Sequence, residues 1–179
     1  ATTMTPKKFW SKWREEELNE SVFHEIKNIP LPNEIKNKIF FDRPNKIRSY
    51  FESLWSQDVL PTDQDRLLIC LLSKERLLEM VRYFILFDKR IGKVVARYQQ
   101  AFGIKSMLNR VKRLDKRGIR QGGGIWHTTG SGKSFTMVFL SKALLLEPEL
   151  SDCRIIIVTD RVDLQKQLSK TFLTGGAYG

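Results

Sequence analysis

A loop with alternating glycines and an adjacent Lys-Ser pair is the stretch whose residue types can do chemistry. It runs from Thr128 to Ser134 as Thr-Thr-Gly-Ser-Gly-Lys-Ser. Gly130 and Gly132 lack a Cβ atom, so their backbone can adopt positive φ and aim successive N–H groups at phosphate oxygens. Lys133 adds a point charge for the outer phosphates of a nucleotide, and Ser134 offers a hydroxyl ligand to Mg²⁺. The pattern predicts a nucleotide-phosphate site at the start of a helix.

The loop departs from the usual phosphate-loop pattern at one position. The pattern G-x-x-x-x-G-K-S/T requires glycine where this chain has His127. Thr128, Thr129 and Ser131 are expected to join the phosphate cradle through their backbone N–H groups, which any side chain permits. The alternative is a glycine-rich turn before a helix, with a lysine that is merely solvated. We favour the nucleotide site because a strand is predicted before the loop and a helix after it.

Two further stretches have side chains suited to a nucleotide or a nucleic acid. Gln99 or Gln100 offers the paired donor and acceptor that an adenine edge requires, although a surface amide at a helix start is the alternative. Thr159-Asp160-Arg161 follows an apolar strand, at the end where ligands bind in open α/β sheets. Asp160 can hold magnesium, as in a small phosphotransferase or GTPase, or it can cap a helix while Arg161 contacts a nucleic-acid phosphate. We favour the second interpretation.

The secondary structure that positions these side chains is predicted to differ between the first half of the chain and the second. Up to about residue 90, apolar residues recur at helical spacing between proline, serine and threonine stops, which predicts a series of helices. We place them at about residues 6–20, 34–41, 49–57, 62–72 and 73–85. An extended connector follows, and then a long amphipathic helix from Tyr98 to Leu114 with a basic outer face.

From Gly124 onward the predicted order is strand, helix, strand, helix. The first helix runs from the loop to Glu147, the second strand spans Arg154–Thr159, and the last helix extends through Phe172. A strand that is apolar on both faces, between helices, is typical of a parallel, doubly wound α/β sheet. We therefore predict two regions, a helical one over residues 1–90 and a P-loop α/β one over residues 91–179.

The chain is strongly basic, and most of the excess is local. Its 179 residues have a formal net charge of +11, and residues 88–120 contain eleven Lys or Arg against two Asp. Such a cluster suits the phosphates of a nucleic acid or a nucleotide, and a solvated helix face is the alternative.

Composition also indicates the compartment. Cys70 and Cys153 lack metal-ligand spacing, which favours reduced, buried thiols. No apolar run reaches the roughly 18 residues of a membrane span, and no signal-peptide pattern is present, so we expect a cytoplasmic protein without a membrane partner. With two predicted strands and a final loop, the chain is expected to be a fragment of a longer protein.

Three motifs together resemble one family. Residues Trp126–Ser134 resemble the ATP-binding motif of the motor and restriction (R) subunit of type I restriction enzymes, which are superfamily-two helicase-like proteins. Leu77–Asp88 and Ala96–Gln100 resemble the segment before the motor in that family. Ile155–Leu168 is similar to its next helicase motif. The motifs occur in the family's order and spacing, and they cover about residues 70–173.

The resemblance implies roles for individual residues. The residues implied to bind ATP and magnesium are Thr128, Thr129, Gly130, Ser131, Gly132, Lys133 and Ser134. Lys133 and Ser134 would support catalysis, and the Ser134 hydroxyl would bind the metal. Gln100 would bind adenine, with Gln99 as the second choice. His127 also matches the family, whereas a threonine at position 129 replaces the glutamine associated with that position.

The resemblance further implies a function and a fold. The chain would be part of an ATP-dependent double-stranded DNA translocase and endonuclease, acting with specificity and methylation subunits. Residues 91–179 would begin a RecA-like motor lobe with an incomplete parallel sheet, in which Thr159 and Arg161 contact DNA. The chain has no Asp-Glu pair after an apolar strand, no second motor lobe and no nuclease constellation, so by itself it is expected neither to hydrolyse ATP efficiently nor to cut DNA.

Two other functions stay open on the residues alone. One is a small P-loop phosphotransferase or GTPase that uses Asp160 for magnesium. The other is a basic, helical nucleic-acid-binding module in which the phosphate loop is vestigial.

Overall fold

The computed structural model describes residue 6 and residues 12–88, 92–150, 152–160 and 162–175. The chain divides into two compact units, residues 15–76 and residues 1–14 with 77–179. The described residues form eight α-helices and one two-stranded antiparallel sheet. Among them, no helix has both the length and the hydropathy needed to cross a lipid bilayer.

The unit of residues 15–76 is helical, and its helix starts follow from local sequence. Its helices are α1 (Glu20–Lys27), α2 (Asn33–Ile39), α3 (Asn45–Trp55) and α4 (Asp63–Leu72). The Asn19 side chain accepts the Val22 N–H and caps α1. Thr62 caps α4 through a capping box, in which its hydroxyl accepts the Asp65 N–H and the Asp65 carboxylate accepts the Thr62 N–H. The helix predicted over residues 62–72 is confirmed.

A buried ion pair holds together the two ends of this unit. Arg76 Nη2 lies 2.9 Å from Glu15 Oε1 and 2.8 Å from Glu17 Oε2. The side chains of Arg76 and Glu15 are only 7% and 5% exposed. Burial, assisted by the nearby Glu15 carboxylate, raises the pKa of the Cys70 thiol to about 12. Cys70 is therefore a protonated, buried thiol, as its apolar surroundings in the sequence predicted.

The other unit contains the candidate site. Its elements are most of α5 (Lys74–Tyr83), β1 (Ile85–Asp88), β2 (Gly92–Val95), α6 (Tyr98–Lys112), α7 (Lys133–Leu146) and α8 (Val162–Gly175). Helix α6 packs on α7, and α8 packs on both α7 and β1. The largest fully buried side chains are Phe84, Phe139, Ile104 and Val138. Lys142 of α7 donates to the Ile85 carbonyl at 3.0 Å, and burial lowers the pKa of its ammonium.

The helix predicted over residues 73–85 ends earlier in the structure, because the chain continues into the hairpin of β1 and β2. Helix α5 ends at Tyr83, and β1 begins at Ile85. Leu86 is buried whereas Phe87 is 70% exposed, so burial alternates from residue to residue as in a strand. The helical prediction was wrong here because β-branched and aromatic residues favour strands when a partner strand is available. That partner, β2, coincides with the predicted extended connector.

The predicted parallel sheet is not formed by the residues that the structure describes. Neither residues 122–128, before the loop, nor residues 152–160 are part of a strand. Ile156 and Val158 are 84% and 86% exposed. An apolar strand of a parallel sheet is normally covered on both faces, and no described segment pairs with this one. The parallel strands stay a prediction.

The N-terminal helix predicted over residues 6–20 is absent from residues 12–19, and α1 begins only at Glu20. The aromatic spacing there reflects contact with the core and not a helix. The Trp13 ring packs against Phe102 with ring centroids 5.6 Å apart. Trp13 thus docks onto the protein core.

Removing Arg76 should destabilise the helical unit strongly. Arg76→Ala removes the guanidinium that pairs with the buried Glu15 carboxylate, so we expect a loss of about 3–5 kcal/mol in the free energy of unfolding, measured by urea denaturation. The control is Arg66→Ala, whose partner Glu20 is 71% exposed, and which should cost at most about 1 kcal/mol. Equal losses in the two variants would contradict a special role for the buried pair.

Candidate nucleotide-binding site

The loop that precedes α7 has the backbone conformation that phosphate binding requires. Gly130 and Gly132 have φ values of +77° and +87°, in the left-handed region that glycine adopts without strain. The Ser131 N–H bonds to the Thr128 carbonyl at 3.3 Å and closes a tight turn. Helix α7 begins at Lys133, directly after the second glycine. The predicted order of glycine loop and helix is therefore present.

The start of α7 supplies donors and partial positive charge. The first N–H groups of an α-helix have no acceptor within the helix, and the helix dipole is positive at this end. The Lys133 ammonium bonds to the His127 carbonyl at 3.2 Å, which holds its charge beside the loop. Ser134 occupies the second position of α7, so its hydroxyl lies in the same first turn. This arrangement favours an anionic ligand.

A buried amide connects the loop to α6. Gln100 is 5% exposed and lies in the first turn of α6. Its Oε1 accepts the Arg97 N–H at 2.9 Å. Its Nε2 donates to the Gly132 carbonyl at 3.2 Å and to Thr136 Oγ1 at 2.9 Å. Both amide hydrogens of Gln100 are therefore used to join the start of one helix to the start of another.

Thr136 and Gly132 complete this connection. Thr136 Oγ1 donates in turn to the Gly132 carbonyl at 3.3 Å, and Thr136 is itself buried. A Cβ atom on residue 132 would lie 3.3 Å from the Gln100 Nε2 atom, which is closer than most real contacts. Glycine is thus required at this position both by its positive φ and by the close approach of the amide. Thr136 was not among the predicted site residues, although it follows the Lys-Ser pair by two positions.

A cavity of about 420 Å³ opens beside the loop. It is lined by Arg97, Gln99, Gln100, Trp126, His127, Thr128, Thr129, Gly130 and Ser131. No carboxylate is among these residues, and Gln99, unlike Gln100, is exposed. Ser131 Oγ is buried and has no hydrogen-bond partner among the described residues. The structure thus brings both predicted adenine-binding amides to the same cavity as the loop, and the adenine contact itself stays a prediction.

Thr159, one of the two predicted DNA-contacting residues, lies away from the loop cavity. Thr159 lines a separate cavity of about 670 Å³ between residues of α7, α8 and the 155–159 segment, and this lining has no residue in common with the loop cavity. Arg161 lies outside the described residues. Asp160 is exposed and does not line the loop cavity. Helix α8 begins at Val162, so the predicted helix after Asp160 is present.

Comparison with known proteins relates the chain to restriction enzymes and to a family of ATPases. Residues 99–177 match the SWI2/SNF2 ATPase family. Over 143 residues, the chain is 36% identical to the HindI type I restriction enzyme endonuclease subunit of Haemophilus influenzae, covering 77% of this chain and 13% of that protein. No solved structure matches the chain.

Two further relatives have related names. A protein of Methanocaldococcus jannaschii, named as the MjaIXP type I restriction enzyme endonuclease subunit, is 36% identical over 115 residues, which are 62% of this chain and 11% of that protein. A protein of Mycoplasma pneumoniae, named as the C-terminal part of the MpnIIP endonuclease subunit, is 32% identical over 101 residues, or 54% of this chain and 48% of that protein. The chain thus spans about an eighth of the length of the first relatives.

Substitution of Gln100 should destabilise the unit that contains the loop. Gln100→Ala removes the hydrogen bonds of the amide to the Gly132 carbonyl, the Thr136 hydroxyl and the Arg97 N–H, so we expect a loss of about 1–3 kcal/mol in unfolding free energy, measured by urea denaturation. Gln100→Glu should lower the unfolding free energy further, because it places a carboxylate oxygen against the Gly132 carbonyl oxygen, and both are acceptors. The neighbouring Gln99→Ala is the matched control and should stay within about 0.5 kcal/mol of the original chain. If Gln100→Ala and Gln99→Ala have the same unfolding free energy, the Gln100 amide does not fix the loop.

Proposed function

This chain is a homologue of part of the endonuclease subunits of type I restriction enzymes, as its motifs predicted, and from this premise we propose that it is a piece of an ATP-driven DNA motor. In the intact protein, ATP hydrolysis would power movement along double-stranded DNA until the DNA is cleaved. The motor would act in a complex with specificity and methylation subunits, in the cytoplasm. Its cofactors would be ATP and Mg²⁺.

The observation that carries this proposal is the geometry of the glycine loop. Two glycines with positive φ, a following helix and a lysine at its first position form the arrangement that phosphates select. The Gln100 amide fixes the loop against the core, so the cradle is formed before a ligand enters. A cradle fixed in advance binds anions without the cost of ordering the loop.

The residues present fit a nucleotide. The loop cavity is lined without any carboxylate, and the Ser131 hydroxyl is buried beside it with no partner among the described residues. The nucleotide, when bound, supplies the phosphoanhydride bond that is hydrolysed. Backbone N–H groups at Gly130 to Ser134 would bind its phosphates, and Lys133 would balance their charge. The Ser134 hydroxyl would hold Mg²⁺, and Gln100 or the exposed Gln99 would bind adenine.

The proposal also includes a division of the chain and a DNA contact. Residues 1–90 would form a helical connector, and residues 91–179 the first part of a RecA-like motor lobe with a parallel sheet. Thr159 and Arg161 would follow DNA phosphates at a place separate from the nucleotide. The SWI2/SNF2 similarity over residues 99–177 supports this assignment.

The alternative is a small P-loop phosphotransferase or GTPase with Asp160 as its magnesium ligand. No contact of the described residues favours it, because Asp160 is exposed and is absent from the lining of the loop cavity. It would transfer a phosphoryl group to a small molecule without stimulation by DNA. The two functions therefore differ in one measurable property.

ATPase activity of the full-length gene product, with and without long duplex DNA, tests the proposal. We expect DNA to stimulate turnover, in the presence of the specificity and methylation subunits. Lys133→Ala should lower the stimulated rate by a factor on the order of 10², because it removes a charge that offsets the charge developing on the phosphates.

The control for that variant is Lys74→Ala, an exposed lysine of the other unit, which should leave the rate unchanged. Turnover that is independent of DNA would contradict the translocase function and favour the phosphotransferase. Absence of any turnover with all partner subunits present would contradict both enzyme functions.

A further inference from the structure

Most of the described Lys and Arg side chains between positions 88 and 120 contact neighbouring groups of the protein. Those that do not are found in a single turn. Two lysines of this stretch are neutralised by carboxylates. Lys105 of α6 pairs with Glu79 at 2.9 Å. Lys112 pairs with Glu147 at 2.7 Å, and this hydrogen bond raises the pKa of Lys112. These lysines support the packing of α6 and contribute little charge to a partner.

Two arginines of the same stretch are bonded to backbone carbonyls. Arg110 Nε donates to the Gly122 carbonyl, which secures the chain as it returns towards the phosphate loop. Arg120 donates to the Val111 carbonyl at 3.2 Å and to the Glu149 carbonyl at 3.3 Å. Both guanidinium groups therefore have a structural role.

Two more basic residues have contacts of their own. Lys93 lies over the Phe87 ring, 5.7 Å from its centroid, and Arg97 lines the loop cavity. Lys89 and Arg90 lie outside the described residues. Of the nine basic residues that the structure describes in this stretch, three are left, Arg113, Lys116 and Arg117. We refer to residues 113–121 as the basic turn.

The basic turn is ordered by its backbone. The Asp115 and Gly118 N–H groups bond to the carbonyls of Ile119 and Asp115, at 2.8 and 3.0 Å. Leu114 and Arg120 form an antiparallel bridge, and the φ of Gly118 is +75°. The turn is thus a small hairpin with a defined tip and not a solvated chain end.

The one carboxylate in the turn does not neutralise its cations. Asp115 Oδ1 accepts the N–H groups of Arg117 and Ile119, both at 2.8 Å. Arg113, Lys116 and Arg117 are all exposed, and no acidic side chain of the described residues pairs with them. Three cations are therefore presented together on a fixed scaffold, with a carboxylate that is already engaged.

We infer that the basic turn is a contact for the phosphate backbone of double-stranded DNA. Exposed Arg and Lys side chains on an ordered turn, paired with no carboxylate of the described residues, are suited to successive phosphates, and they do not read base sequence. The inference rests on the proposed function for its choice of duplex DNA as the polyanion. The turn contains neither Thr159 nor Arg161, the two residues predicted from the sequence to contact DNA.

The position of the turn separates this contact from the nucleotide. Helix α6 has 15 residues, so its ends are about 22 Å apart. Gln100, at one end, holds the phosphate loop, and the basic turn follows the other end. Loss of the turn's charge should therefore weaken DNA binding and leave nucleotide binding unchanged.

The test uses the full-length gene product carrying Arg113→Gln, Lys116→Gln and Arg117→Gln. Its affinity for a duplex of arbitrary sequence is measured across a range of salt concentrations. Each lost phosphate contact lowers the slope of log affinity against log salt by about 0.9, so the triple variant should lose about 2 to 3. Arg113→Lys with Arg117→Lys keeps the charge and should keep the slope. Affinity for ATP should be the same in all of these proteins.

A matched control removes three lysines from the other unit, as Lys36→Gln, Lys46→Gln and Lys74→Gln. This variant has the same net charge as the test variant and should retain the original slope. An unchanged slope in the test variant would overturn the inference, as would loss of association with a partner subunit at unchanged slope, which would assign the turn to a protein interface.

The salt slope tests the basic turn, whereas DNA-stimulated ATPase activity tests the proposed function, so the two can fail separately. A reduced slope without DNA-stimulated ATPase would support the turn and contradict the motor. DNA-stimulated ATPase in the unmodified protein with no change of slope in the test variant would support the motor and contradict the turn.

Discussion

The candidate site depends on one buried amide. Gln100 uses its oxygen to complete the start of α6 and its nitrogen to hold the Gly132 carbonyl and the Thr136 hydroxyl. A buried amide that loses such partners costs about 1–3 kcal/mol, so these bonds select one arrangement of the loop. The loop itself has few other contacts with the core, and its residues 128–130 are exposed. The conformation of the loop is therefore set by the two helices that the amide joins.

The helices can meet in this way because their buried faces are apolar and closely packed. Ala101 and Ile104 of α6 are fully buried, as are Val138 and Phe139 of α7. The small Ala101 next to the amide lets the backbones approach. Gly132 allows the same approach from the other side, where a Cβ atom would meet the amide nitrogen. Core packing thus brings the helices together, and the amide sets the register between them.

The sequence predicted the loop well because its structure is local. Positive φ at glycine, a helix after Lys133 and a cap at Thr62 are set by residues within a few positions of each other. It predicted poorly what depends on distant partners. The strand at Ile85 needs β2, and a strand over residues 154–159 needs neighbours that the described residues do not provide. Apolar residues at these positions show only that a surface is to be buried, not which partner buries it.

The same distinction applies to the two glutamines. From sequence, Gln99 and Gln100 are equivalent amides near a helix start. In the structure, a base contact in which Gln100 donates must be exchanged for a hydrogen bond that now positions the loop, whereas Gln99 is exposed in the same cavity. The net change in free energy from such an exchange is small, because one buried hydrogen bond replaces another. In the proposed site, the affinity for a nucleotide would then come mainly from its phosphates, and a base contact by Gln100 would act chiefly by changing how firmly the loop is held.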